Sequence, residues 1–395
     1  MHWRAPFLAA LAVSGIPTVY GWGAAGHEIV ATIAQIHLHP TVLPKICTIL
    51  NFTSTNPDEP QCHLAPIATW ADRIRFKMRW SAGLHYIGAV GDHPQDTCLY
   101  PGERGWAGHP GGNVLGGIRN TTGILMDWVA QGDGTYNDTA NEALKFLVHF
   151  LGDMHMPLHL TGRDRGGNSV KVTFDGRQTN LHSAWDSLLV AKAVRMVPAR
   201  YNHPLPNRQI EYNLRGAIYD SFVRKVMWEG VLGKWHGDVE EWLTCPAPSS
   251  PPIKYMLPHW VQVVFGGRSG RVARLVQRVF GHAYFSIGAP EMFDDAVLCP
   301  YHWSQPIHAL NCRLVWPKEI DEPPYSHAGS VEGELTPRVP LLELDTPKYA
   351  GVVEKEWILE ELMAQAGVRL AGVLNWLFMD PVEGESSGSG LTVNL

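Results

Sequence analysis

Two histidine–aspartate pairs at four-residue spacing, His149/Asp153 and His182/Asp186, constrain this chain more than any other feature of its 395 residues. Residues four apart share a helix face, so each pair sets an imidazole beside a carboxylate, an arrangement that can grip one cation. In the run His149-Phe-Leu-Gly-Asp153-Met-His155-Met-Pro157-Leu-His159, Pro157 ends the helix and swings His159 toward a neighbouring position. Two such faces imply two metals.

The bulk composition decides the class. With 45% hydrophobic and 18% charged residues the chain is too apolar for general disorder and long enough for a sizeable core. Lys+Arg 32 against Asp+Glu 38 gives a net charge of −6, which excludes a global positive field, so any binding of nucleic acid has to be local. Met1 to Gly21 reads as a secretion signal: His2 and Arg4, an apolar stretch from Phe7 to Val13, then Ser14, Gly15 and Gly21. The apolar run is far shorter than the ~20 residues of a membrane span, and no other stretch of that length lacks charge, so no membrane anchor is expected. A secreted, extracellular chain then accounts for the even number of cysteines, Cys47, Cys62, Cys98, Cys245, Cys299 and Cys312, as disulfides. None has zinc-type spacing. Asn51, Asn120 and Asn137 open glycosylation sequons, which fit surface loops of a secreted protein.

Apolar residues recur at helical spacing over His27–Ile36, Gly116–Val129, Asn141–Asp153, Ser183–Val194, Leu214–Leu232 and Val352–Phe378. Strand-like alternation is confined to Ser169–Phe174, followed by the turn pair Asp175-Gly176. The expected fold is mainly α: one helical domain over 22–382, with a small β-hairpin and long disulfide-stapled loops. Pro246 to Leu298, opening Pro-Ala-Pro-Ser-Ser-Pro-Pro, reads as an inserted loop, and the Gly/Ser-rich 383–395 as a flexible tail.

Further candidate ligands stand earlier in the chain, in Trp70-Ala-Asp72-Arg-Ile-Arg75, in Leu84-His85-Tyr86 and in Trp22-Gly-Ala-Ala-Gly-His27. Cleavage after Gly21 would make Trp22 the first residue, and its free amine a ligand whose proton a divalent cation readily displaces. Imidazole mixed with carboxylate, without thiolate, suits zinc. Nine candidates, Trp22, His27, Asp72, His85, His149, Asp153, His159, His182 and Asp186, are too many for one tetrahedral ion and enough for three with open positions.

In order and spacing these motifs, together with Gly166-Gly-Asn168 and Thr179-Asn-Leu-His182-x-x-Trp-Asp186, resemble the zinc-dependent, single-strand-specific nucleases of fungi and plants, the S1/P1 type, within the phospholipase C/nuclease superfamily. The resemblance resumes at Cys299-Pro-x-x-Trp303 to Cys312 and at Ala366-Gly-x-Arg369 to Asn375. It implies an endonuclease and 3′-nucleotidase that cuts single-stranded DNA and RNA to 5′-phosphorylated nucleotides at three zinc ions. Asp72, His85, His149 and Asp153 would hold the first; Trp22, His27 and the shared Asp153 the second; His159, His182 and Asp186 the third. Asp72 and Arg75 would be catalytic, Arg75 steadying phosphate charge, and Tyr86 would stack a base. No obligate protein partner is implied.

The resemblance also implies a Cys98–Cys245 disulfide, whereas Cys47–Cys62 and Cys299–Cys312 are expected from nearness in sequence. Gly88 stands where the family has an acid that bonds the base edge. His155 and His63 have no counterpart role and read as structural, while Trp70, Trp128 and Trp185 read as core packing. Rival readings are a zinc phospholipase C-like phosphodiesterase, which the aromatic after His85 disfavours, and an inactive secreted zinc-binding protein, which the complete ligand set disfavours.

Overall fold

A computed structural model describes residues 22–132, 134–246, 294–325, 340–380 and 390–395. The expected signal, most of the expected insertion and residues 383–389 of the expected tail lie outside the described residues. Helices dominate. The first five are α1 (Ala24–Ile36), α2 (Val42–Leu50), α3 (Trp70–Ile74), α4 (Val114–Gln131) and α5 (Asp138–Met154). Asn113 and Asn137 start α4 and α5 by accepting from the amides of Gly116 and Ala140, which satisfies a backbone donor the helix cannot. The hairpin follows, β1 (Lys171–Phe174) and β2 (Arg177–Asn180), paired antiparallel across Asp175 and Gly176, both in the left-handed region.

Next come α6 (Leu181–Ser183) and α7 (Val190–Arg195), joined by a π-helical stretch, Ala184–Leu189. Then follow α8 (Arg208–Leu214), α9 (Asp220–Lys225), α10 (Val239–Leu243), α11 (Pro300–Leu310), α12 (Ala350–Lys355) and α13 (Ile358–Phe378).

The core forms where α5 and α13, each buried on nearly every side, pack with α1 and α4. Gly367 lets α13 approach α1 closely: a Cβ there would stand 2.5 Å from Ile33 Cγ2 and 3.1 Å from the Val30 carbonyl oxygen. Overpacking of this kind costs about 1–3 kcal/mol. Gly367→Ala is therefore expected to lower the urea midpoint by a stability of that size, and an unchanged midpoint would mean that the two helices are not in this contact.

Several expectations need correction. The single helix expected over Leu214–Leu232 is broken, because Gly216 and Tyr219 take positive φ (78° and 64°) between α8 and α9. The one expected over Val352–Phe378 breaks at Trp357 (φ 62°), whose ring lies 4.3 Å from Lys225 Nζ, so a tertiary contact accompanies the break. A third strand, β3 (Leu342–Glu343), pairs parallel with β1, and the Glu343 carboxylate accepts from the amides of Asp175 and Gly176, both at 3.0 Å. Asn120 lies within helix α4 rather than in a loop, although all three sequon asparagines are exposed.

The tail ends in contact with the body: Leu391 is buried, and the Asn394 amide donates to the His37 carbonyl at 3.1 Å.

The disulfides are Cys47–Cys62, Cys98–Cys312 and Cys245–Cys299. The expected Cys98–Cys245 and Cys299–Cys312 do not form. Cys299 caps the start of α11 and Cys312 follows its end. Thirteen residues of helix at 1.5 Å each hold their Cα atoms roughly 20 Å apart, whereas a disulfide needs less than about 7 Å. Each end of α11 takes a distant partner instead. Cys245–Cys299 thereby ties together the two ends of the expected insertion. Among the described residues no helix is long and apolar enough to cross a membrane.

Candidate metal centre

Asp153 is the hub. It sits on α5, fully buried, and its two carboxylate oxygens face four imidazoles: His85 Nδ1 at 2.9 Å, His149 Nε2 at 3.2 Å, His27 Nε2 at 3.4 Å and His159 Nδ1 at 3.5 Å. Four elements supply these rings. α1 brings His27 and α5 brings His149 one turn before Asp153; a 3-10 helix, Arg79–His85, ends on His85; a 3-10 turn, Pro157–Leu160, carries His159. α3 adds the buried Asp72, with Oδ1 at 3.7 Å from His149 Nε2. Gly152 makes room for this convergence, since a Cβ on it would lie 2.5 Å from His27 Nδ1.

A third group lies alongside. His182 Nε2 stands 3.1 Å from Asp186 Oδ2 across one helical turn, and the His159 and His182 rings stack with centroids 5.1 Å apart. The Gly23 amide donates to the Asp186 carbonyl at 2.9 Å, which anchors the segment next to the buried Trp22 against this group.

Three sets of buried donors, each within 4.8 Å of one another, result: His27, Asp72 and His149; His85, His149 and Asp153; His159, His182 and Asp186. Cys98, His308 and Cys312 also cluster, but both sulfurs are in a disulfide and cannot ligate.

The donor set fits metal ions. Backbone carbonyls of Ala68, His85 and Gly166 face Nδ1 of His149, His159 and His182 at 2.7, 2.5 and 2.7 Å. A carbonyl only accepts, so Nδ1 carries the hydrogen in each ring. In their neutral forms His149 and His182 then turn an Nε2 lone pair toward the carboxylates. Six buried atoms in the cluster have no hydrogen-bond partner: both ring nitrogens of His27, His85 Nε2, and one oxygen each of Asp72, Asp153 and Asp186. Buried polar atoms left so cost about 1–3 kcal/mol each, a cost a cation would remove.

The titration of the group follows from burial and from these contacts. Burial opposes charge on His149, but Asp153 and Asp72 outweigh it and push the imidazole up to about 9. Burial would raise Asp153; His149 and His159 instead hold it well below the usual carboxylate range. Burial takes His159 down to about 4, and it lifts Asp186 to about 7 despite His182. A divalent cation among these groups would take the place of the His149 proton.

Arg75 is largely buried, its Nη1 4.0 Å from Asp72 Oδ1. Tyr86, directly after His85, is half exposed, with a ring open to solvent. Gly88 has no room for an acid, because a Cβ would meet the Gly162 amide nitrogen at 2.6 Å. His155 is structural: Nδ1 faces the Leu151 carbonyl and Arg369 Nη1 donates to Nε2 at 2.8 Å, so both ring nitrogens are committed. Trp185 donates to Tyr349 in the core.

Sequence reasoning missed the braces of the His159 turn. Asn311 Nδ2 donates to the Pro157 carbonyl at 2.6 Å, and Asp92 accepts from Thr161 Oγ1 at 2.6 Å while His308 Nε2 lies 3.0 Å from the same oxygen. Residues so far apart in sequence leave no spacing signal.

Comparison with known proteins agrees with this geometry. The S1/P1 nuclease family profile matches residues 22–244. The match stops before the insertion and does not include the motifs at Cys299–Cys312 and Ala366–Asn375. Endonuclease 2 of Arabidopsis thaliana is 32% identical over 245 residues, 60% of this chain and 74% of that protein. Nuclease P1 of Penicillium citrinum is 38% identical over 175 residues, and nuclease S1 of Aspergillus oryzae 36% over 176; each match covers 44% of this chain, with 60% and 56% of the relative. The aligned part thus spans less than two thirds of these fungal relatives.

Proposed function

This chain belongs to the S1/P1 nuclease family, and from that premise we propose that it is a secreted zinc-dependent endonuclease and 3′-nucleotidase acting on single-stranded DNA and RNA. The observation that carries the reading is the convergence of three buried His/Asp sets on Asp153 and Asp186. Zinc would be held by Asp72, His85, His149 and Asp153, by Trp22, His27 and Asp153, and by His159, His182 and Asp186. Zinc in such a site supplies Lewis acidity toward phosphate oxygens and lowers the pKa of water.

The chain's own groups do the rest. Asp72, facing both His149 and Arg75, orients the attacking water and takes up its hydrogen bond. Arg75 holds the charge that grows on the phosphoryl oxygens. Tyr86 offers an open aromatic face beside His85, on which an unpaired base can lie and a paired one cannot. Three disulfides support residence in an oxidising compartment, with 1–21 as a signal, 22–382 as the nuclease domain and Asn51, Asn120 and Asn137 as glycan sites.

The decisive assay sets purified, metal-loaded protein against single-stranded DNA, a 3′-mononucleotide and phosphatidylcholine, with zinc content measured on the same sample. Cleavage of the lipid alone would overturn the reading, as would full zinc content with no turnover of any phosphoester. Base stacking is worth about 1–3 kcal/mol, so Tyr86→Ala is expected to raise KM for single-stranded DNA on the order of tenfold to a hundredfold. Unchanged KM would make Tyr86 a wall of the site and no more.

A further inference from the structure

We propose that residues 73–80 form a cationic, aromatic ridge that binds the single strand outside the metal cluster and leads it in. The proposal rests on the nuclease reading above and extends it to the length of substrate held. The segment reads Arg73-Ile-Arg75-Phe76-Lys77-Met-Arg79-Trp80: four cations in seven residues from Arg73 to Arg79, with no acid between Asp72 and Asp92, in a chain whose net charge is −6. The negative chain thus carries a local positive stretch beside its candidate site.

Apart from the largely buried Arg75 and the partly buried Ile74 and Met78, the side chains face the solvent. Phe76 is 58% and Trp80 64% exposed, and Arg73, Lys77 and Arg79 are exposed too. Core contact does not account for both aromatic rings. Trp80 leans one side on Phe146, centroids 5.6 Å apart and planes tilted by 57°, which holds the indole in place while most of it stays open. Phe76 has the Arg75 guanidinium 5.3 Å from its centroid. Among the described residues neither Lys77 nor Arg79 takes part in an ion pair, and Arg73 Nη2 reaches the Pro66 carbonyl at 3.4 Å.

The ridge is continuous with the cluster at both ends. Asp72 precedes it on α3, and Trp80 lies on the same 3-10 helix, Arg79–His85, that ends on His85. At a rise of ~2 Å per residue, Trp80 stands roughly 10 Å from His85 along that helix. This is about three nucleotides of a stacked strand at ~3.4 Å each. Open aromatic faces alternating with cations match a single strand, which offers unpaired bases and a phosphate at every step; a duplex keeps its base faces stacked inside. A ridge of this kind binds every base, and it acts on long substrates while a mononucleotide reaches only the cluster.

The test compares metal-loaded wild type with Phe76→Ala/Trp80→Ala and with Lys77→Glu/Arg79→Glu. The first readout is anisotropy of a fluorescein-labelled oligothymidylate of about twenty nucleotides with phosphorothioate linkages. The second is the ratio of kcat/KM for an unmodified strand of that length to kcat/KM for a 3′-mononucleotide. Each double variant is expected to weaken binding and lower that ratio at least tenfold, and the charge variant to lower the salt slope by about 1.4, at ~0.7 for each phosphate contact. Trp80→Tyr, which keeps a stacking face, is expected to retain most of the affinity.

Binding and ratio unchanged in both double variants would overturn the ridge, as would equal loss in Trp80→Tyr and Trp80→Ala. Wild-type binding to anionic phospholipid vesicles in place of the oligonucleotide would also overturn it, and would make the patch a membrane contact. If wild type hydrolyses no 3′-mononucleotide or strand, the nuclease reading fails by itself, and the anisotropy comparison still decides the ridge.

Discussion

Asp153→Ala is expected to empty most of the metal centre and to lower phosphoester hydrolysis by at least about a thousandfold. Asp153 lies within 3.5 Å of His27, His85, His149 and His159, so its loss leaves His27, His85 and His149 with Asp72 as their carboxylate neighbour. The third set, His159, His182 and Asp186, keeps its own carboxylate. Zinc measured by mass spectrometry is therefore expected to fall from about three ions per chain to about one. Lewis-acid stabilisation of a phosphoryl transition state is worth several kcal/mol, and each 1.36 kcal/mol is tenfold in rate, which sets the size of the loss. Full metal content with wild-type turnover would remove Asp153 from the centre of the site.

Chelation is expected to lower Tm by more than about 10 °C, with zinc restoring it and calcium or magnesium failing to. A ligand present at a thousand times its Kd adds about 4.1 kcal/mol to stability for each site. At about 2.1 cal/mol/K of unfolding entropy per residue, a domain of roughly 360 residues shifts by about 1.3 °C for each kcal/mol, so two or three sites reach the threshold. The physical source is the six unpartnered buried atoms of His27, His85, Asp72, Asp153 and Asp186; the proton that Asp153 and Asp72 hold on His149 has to leave for a cation to bind and works against it. Imidazole with carboxylate and no thiolate favours zinc over the harder cations. A Tm that does not move under chelation would mean that internal hydrogen bonds satisfy the cluster without metal.

Much of the site was legible because it is written in short-range spacing. His149 with Asp153, and His182 with Asp186, are i, i+4 pairs whose geometry any helix imposes, and Pro157 turning the chain toward His159 is equally local. The helices α1, α4 and α5 were legible for the same reason: their apolar residues repeat at the helical period. The breaks at Gly216, Tyr219 and Trp357 were not, because Trp357 sits among partners from elsewhere in the chain, such as Lys225. Strand β3 is two residues long and exists only as a partner of β1.

The amino-acid order by itself decided the imidazole and carboxylate donors, their pairing on helical turns, the mainly α class and the family. Which donor atoms come together, which cysteines pair and what braces the His159 turn were decided only when the chain closed on itself. Asp153 meets His27 and His85, Cys98 meets Cys312 across 214 residues, and Asn311 reaches Pro157 through contacts made by packing. Periodicity reports what a residue does to its own helix; a contact between distant segments depends on the path of everything between them, which no local pattern encodes.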